Sequence, residues 1–78
     1  MPVKERVKAV MSQVFGLRPE DISDSSSPET IDQWDSLKHM QLIMALEDEF
    51  EVEFPDEAIP KMVRFDRVIE KLTAAMDD

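Results

Sequence analysis

With 78 residues against the roughly 100–200 of an ordinary domain, the chain has room for one small core spanning 1–78, and stability of about 4–12 kcal/mol leaves little to support an enzyme-sized cavity. Eighteen acidic side chains against nine basic ones give a net charge of −9, which disfavours nucleic acid and anionic membranes as partners and selects basic proteins. The chain has no cysteine, so disulfides, thiolate metal sites and an acyl-carrying thiol of its own are excluded, and a thioester role requires an imported thiol.

One glycine, no tyrosine and no alternating apolar runs leave strands without support, so the 3.6-residue period decides the class as all-α. The opening MPVKERVKAV has scattered charges and no apolar run, so neither a signal peptide nor a membrane span is expected and the cytoplasm is the expected address. Val3, Val7, Val10, Met11, Val14 and Phe15 recur at helical spacing and Gly16 follows, which predicts a first helix closed by a left-handed glycine. Residues 17–35 hold two prolines, a serine run and many acids, the chemistry of a long loop pinned by Leu17, Ile22, Ile31 and Trp34. A connection of that length carries function or hides a short helical turn, for which Thr30 and Gln33 offer a capping-box pattern.

The strongest helix runs from Ser36 to about Glu51, free of Gly and Pro and rich in good helix formers. Pro55 breaks the chain, and Asp56 to Met62 suits one short turn with Asp56 as N-cap and Pro60 in its first turn. A last helix from about Phe65 to Met76 places Phe65, Val68, Ile69, Leu72 and Met76 on one stripe. The sum is a small four-helix bundle, three main helices and one short one, with a long loop between the first two.

At 100° per residue, Leu42, Ile43, Leu46 and Phe50 cluster within about 100° of arc and form a sufficient core face. Leu37, Met40 and Met44 fall elsewhere, among Gln41, Glu47, Asp48 and Glu51. A small bundle could bury both stripes; alternatively the second is an apolar strip rimmed by carboxylates, as in a docking surface. Seven acids and no base lie between Glu47 and Glu57. Acids at a helix C-terminus oppose its dipole and repel one another, so electrostatic steering of a basic partner explains them better than a solvated face. Their spacing lacks the oxygen-ligand pattern of a calcium loop, and no metal site is expected.

Ser36 opens this helix after Asp35, as an N-cap or first-turn residue. Ser36 and His39 lie three apart, yet no orienting third group or oxyanion loop accompanies them, which argues against a serine hydrolase and leaves no catalytic residue to name. His39, in the first turn near the core stripe, is expected to be neutral and packed. Asp35-Ser36-Leu37, the following KHMQLIMALEDEFEVEFPDE, the Gly16-Leu17 turn and the closing helix together resemble the acyl carrier proteins, over essentially the whole chain and in the family's order.

The resemblance implies a free-standing, non-catalytic, cytoplasmic and monomeric acyl carrier in which Ser36, flanked by Asp35 and Leu37, holds phosphopantetheine transferred from coenzyme A. It implies a phosphopantetheinyl transferase, an acyl-loading ligase or transferase and acyl-processing enzymes with basic docking patches as partners. Leu37, Met40, Met44, Glu47, Asp48 and Glu51 match its recognition helix. The competing reading is an unmodified acidic adaptor that docks basic proteins, which has no need of a hydroxyl at Ser36. Central fatty-acid carriers usually have a small residue before the DSL and an acid after it, where this chain has Trp34 and Lys38; Pro28 and Asp32 stand where an apolar loop residue is common. Trp34 either restores the lost packing or, if exposed, helps select the loading enzyme. The variant looks more like free-standing carriers of specialised pathways.

Overall fold

Valine and methionine at four-residue spacing followed by a lone glycine produce the first element. In the computed structural model, which describes residues 3–76, it is helix α1 (Val3–Phe15). Val7, Met11 and Phe15 are buried while Val3, Val10 and Val14 pack at the edge of the core. Gly16 adopts φ +70°, and the Gly16 and Leu17 amides both donate to the Ser12 carbonyl, at 2.9 and 3.1 Å. That geometry closes the helix with a residue that pays no Cβ penalty.

Helix α2 (Ser36–Phe50) buries Leu42, Ile43 and Leu46 as its pattern predicts, with Phe50 half-buried. It ends with Glu51 in the left-handed region at φ 54°, whose amide reaches the Glu47 carbonyl. A side chain there costs about 1–2 kcal/mol relative to an unstrained conformation. Glu51→Gly is therefore expected to raise the melting temperature by roughly 4–8 °C, measured by circular dichroism, although it removes a carboxylate. No base stands in the last turn of α2. Arg6 of α1 supplies the missing cation, donating to the Glu49 carboxylate at 2.9 Å and to the Glu49 carbonyl at 3.4 Å, with its guanidinium 4.4 Å from the Phe50 ring centroid.

Helix α3 (Phe65–Met76) buries Phe65, Val68 and Leu72, with Ile69 partly buried. Met76, expected on the same stripe, is 43 % exposed because the helix runs past the core there. The expected fourth helix is one 3-10 turn, Ile59–Lys61, preceded by Ala58 rather than capped by Asp56. Pro60 sits in its first turn, where a missing amide costs nothing. The short turn within the long loop lies at Pro19–Asp21, not at Thr30 and Gln33. Thr30 instead accepts the Ser27 amide on its hydroxyl at 2.9 Å, a side-chain bond that competes with helix formation.

The loop is held from both sides. Ile22, Ile31 and Trp34 are buried and Leu17 is partly so. Its backbone also caps α3, since the Ser26 carbonyl accepts the Phe65 amide at 2.8 Å and the Asp24 carbonyl accepts the Asp66 amide at 3.2 Å. These two first-turn amides have no partner within their own helix. The loop thus fixes where α3 starts, and it brings residues 28–36 beside the turn that precedes α3.

Candidate functional site

The start of α2 assembles the site. Asp35 is extended, and its carboxylate accepts the Lys38 amide at 2.8 Å, which makes Asp35 the N-cap and Ser36 the first helical residue. The neighbouring acid therefore does the capping, and the Ser36 hydroxyl is left exposed. The chain has eight serines and threonines. Seven are engaged: Ser12 donates to the Leu17 carbonyl, Ser26 and Ser27 accept backbone amides, Ser23 and Ser25 bond one another, Thr30 caps its turn and Thr73 donates to the Ile69 carbonyl. Ser36 is the one hydroxyl with no hydrogen-bond partner among the described residues.

Beside Ser36 lies an open recess of about 340 Å³ lined by Pro28, Trp34, Asp35, Ser36, His39 and Val63. Trp34 is 2 % exposed, so it is a loop anchor and not the exposed discriminator that its position also allowed. Its indole N–H donates to His39 Nδ1 at 3.0 Å, and His39 Nε2 lies 2.8 Å from the Ile59 carbonyl. An indole N–H can only donate and a carbonyl can only accept, so Nδ1 is the acceptor and Nε2 carries the proton. Both His39 nitrogens are thus occupied, which leaves neither free to act on Ser36. The carboxyls of Asp21 and Asp66 are held below the usual range by the guanidinium groups of Arg18 and Arg64 hydrogen-bonded to them; neither lines the recess.

Down the outer face of α2, Leu37, Met40 and Met44 are 68, 45 and 65 % exposed. Spaced three and four apart, they form a continuous apolar row leading from Ser36. Asp48 and Glu51 are exposed beyond it. Glu47 is half-buried, and its carboxylate accepts the Phe54 amide at 3.0 Å, a structural duty that side-chain spacing on the helix did not reveal. The signal that could have shown it is the break at Pro55, which strands amides just after the helix end.

Residues 5–62 match the family described as the phosphopantetheine attachment site. The chain belongs to that family. The fold is also similar to the solution structure of a holo acyl carrier protein from Geobacter metallireducens, with a TM-score of 0.87 and 26 % identity over 99 % of this chain and 88 % of that one. Carriers of this kind are non-catalytic: they hold phosphopantetheine covalently, receive it from a phosphopantetheinyl transferase and present cargo to acyl-processing enzymes. The carrier's architecture fits such a group, because the primary hydroxyl of Ser36 stands free at the positive end of α2, where a phosphodiester is favoured. When attached, the arm supplies the thiol that the cysteine-free carrier lacks.

Proposed function

We propose that Ser36 is the attachment residue of a single-domain, monomeric, cytoplasmic carrier, its hydroxyl oxygen forming the phosphodiester as coenzyme A gives up its nucleotide portion. The observation that carries this reading is the partnerless Ser36 hydroxyl at the first position of a helix already capped by Asp35. Leu37 continues the surface beside it, and Asp35 fixes the backbone from which the arm projects. The wild-type chain, given coenzyme A and a broad-specificity transferase, is expected to gain the intact mass of one phosphopantetheine. No gain with any of several such enzymes would refute the reading.

Leu37, Met40 and Met44 form the apolar centre of the docking surface, with Asp48 and Glu51 at its charged edge and Glu47 contributing the part of its carboxylate not bound to Phe54. Exposed carboxylates act mainly on the rate of encounter and are screened within about 10 Å at 0.1 M salt. Asp48→Lys with Glu51→Lys is expected to slow modification about tenfold or more at low salt while leaving the helical dichroism intact, with the gap narrowing as salt rises. Equal rates at low salt would reduce the acids to a solvated face.

Lys38 supports a specialised pathway. It stands in the first turn, where the helix dipole disfavours a cation by about 0.3–1 kcal/mol, and it meets a basic docking pocket with like charge. A dedicated ligase or transferase therefore loads this carrier, and the malonyl transferase of central fatty-acid synthesis loads it poorly.

A further inference from the structure

Resting on the carrier reading above, we infer that Trp34 and His39 bar cargo from the bundle interior, so that this chain carries short or polar acyl groups that travel outside the fold. A group tethered at Ser36 meets the recess beside it, whose walls include Pro28 and Val63 and whose inner side is Trp34 and His39. The Trp34 ring lies 5.3 Å from the Phe15 ring centroid and 6.1 Å from that of His39. Through the indole N–H to His39 Nδ1 and His39 Nε2–H to the Ile59 carbonyl, one chain of hydrogen bonds joins the loop, α2 and the turn before α3. Trp34 belongs to the buried core and, with His39, also lines the recess, so the bonded pair stands where the recess meets the core.

An alkyl chain that enters beneath Ser36 has to move Trp34 or His39. Either movement breaks the bond from the indole N–H to His39 Nδ1, and movement of His39 also strands its Nε2–H, whereas the Ile59 carbonyl keeps the Met62 amide at 3.2 Å; methylenes can replace none of the lost partners. The Nε2–H tautomer of His39 is the only one that satisfies both ends, so the bar has one arrangement rather than several to yield through. A short or polar acyl group requires no such movement, since it loses little by remaining in water. A long alkyl chain held outside would keep its apolar surface wet, which makes it the cargo least suited to this carrier.

The test attaches acetyl-, hexanoyl- and dodecanoyl-phosphopantetheine from the corresponding coenzyme A thioesters with a broad-specificity transferase, each product checked by intact mass. Burial of the acyl chain would raise the melting temperature by roughly 3–6 °C per fully buried methylene. The expected result is one melting temperature for all three products and an unchanged emission spectrum of Trp34, the only tryptophan. A chain that gains no mass refutes the carrier reading and this inference with it. A chain that loads but melts higher as the acyl group lengthens overturns the inference alone. Trp34→Leu, which keeps an apolar anchor but removes the indole N–H and much of the volume, is expected to acquire a length dependence. If that variant folds and its three products still melt together, the assignment of the bar to Trp34 is wrong; if it does not fold, the wild-type series decides.

Discussion

Ser36→Ala is expected to abolish modification completely, with no loss of helix content and a melting temperature within a few degrees of the wild type. The expectation depends on how the start of α2 is built. A serine that served as N-cap would cost about 0.5–2 kcal/mol on replacement by alanine, and loss of function could then be blamed on fraying of the helix. Here the cap is Asp35, bonded to the Lys38 amide at 2.8 Å, and Ser36 occupies the first helical position with an unengaged side chain. Alanine has the highest helix propensity and fits there. What disappears is one nucleophilic oxygen. The other seven hydroxyls provide the internal control, because each is engaged in a local hydrogen bond and none stands at the start of a full helix. The measurement is intact mass after incubation with coenzyme A and the transferase, followed by peptide mapping. Modification persisting in the alanine variant at Ser23, Ser25 or any other hydroxyl would overturn the assignment.

Periodicity was enough to place the helices, because each of α1, α2 and α3 repeats its buried residues at three- or four-residue spacing, and Gly16 and Pro55 follow the first two. It also distinguishes two stripes on α2, with Leu42, Ile43, Leu46 and Phe50 as a core face of sufficient width, but leaves open whether the bundle buries the second; the structure exposes Leu37, Met40 and Met44. The long loop was legible only in part. Its apolar anchors could be named from composition, whereas its backbone bonds to the start of α3 join residues about forty positions apart, and no local pattern encodes such a pairing. Glu47 and Arg6 illustrate the same limit at the site's edge. Their roles depend on which amide or carboxylate another element brings near, so a charge count assigned Glu47 to docking without detecting its bond to Phe54. Trp34 is the most ambiguous residue: its place among the loop's apolar anchors favours packing inward, an indole before the DSL also allows projection outward, and the tertiary fold decides for packing.

That decision has a large energetic consequence. Trp34→Ala is expected to lower stability by about 3–5 kcal/mol, the range for truncating a buried aromatic residue. Three effects act together. The side chain is 2 % exposed, so its apolar surface is removed from contact with the core; its ring no longer meets Phe15 at 5.3 Å between centroids; and His39 Nδ1 loses the only donor assigned to it, leaving a partly buried acceptor unsatisfied. Against a total of about 4–12 kcal/mol for a chain of this length, the loss consumes much of the margin, and the melting temperature should fall by on the order of 20 °C. Had Trp34 been an exposed selector of partners, the same substitution would change stability by only about 0.5 kcal/mol. Thermal and urea unfolding followed by circular dichroism separate the two cases. His39→Ala provides the companion measurement: it breaks the same chain of bonds from the other end and leaves the buried Trp34 indole N–H without its partner, while the Ile59 carbonyl keeps only the Met62 amide. Because the two residues share one interaction, the double variant should lose less than the two single losses combined. Strict additivity would show that the indole and the imidazole act independently and that the bond between them contributes nothing to the loop's anchorage.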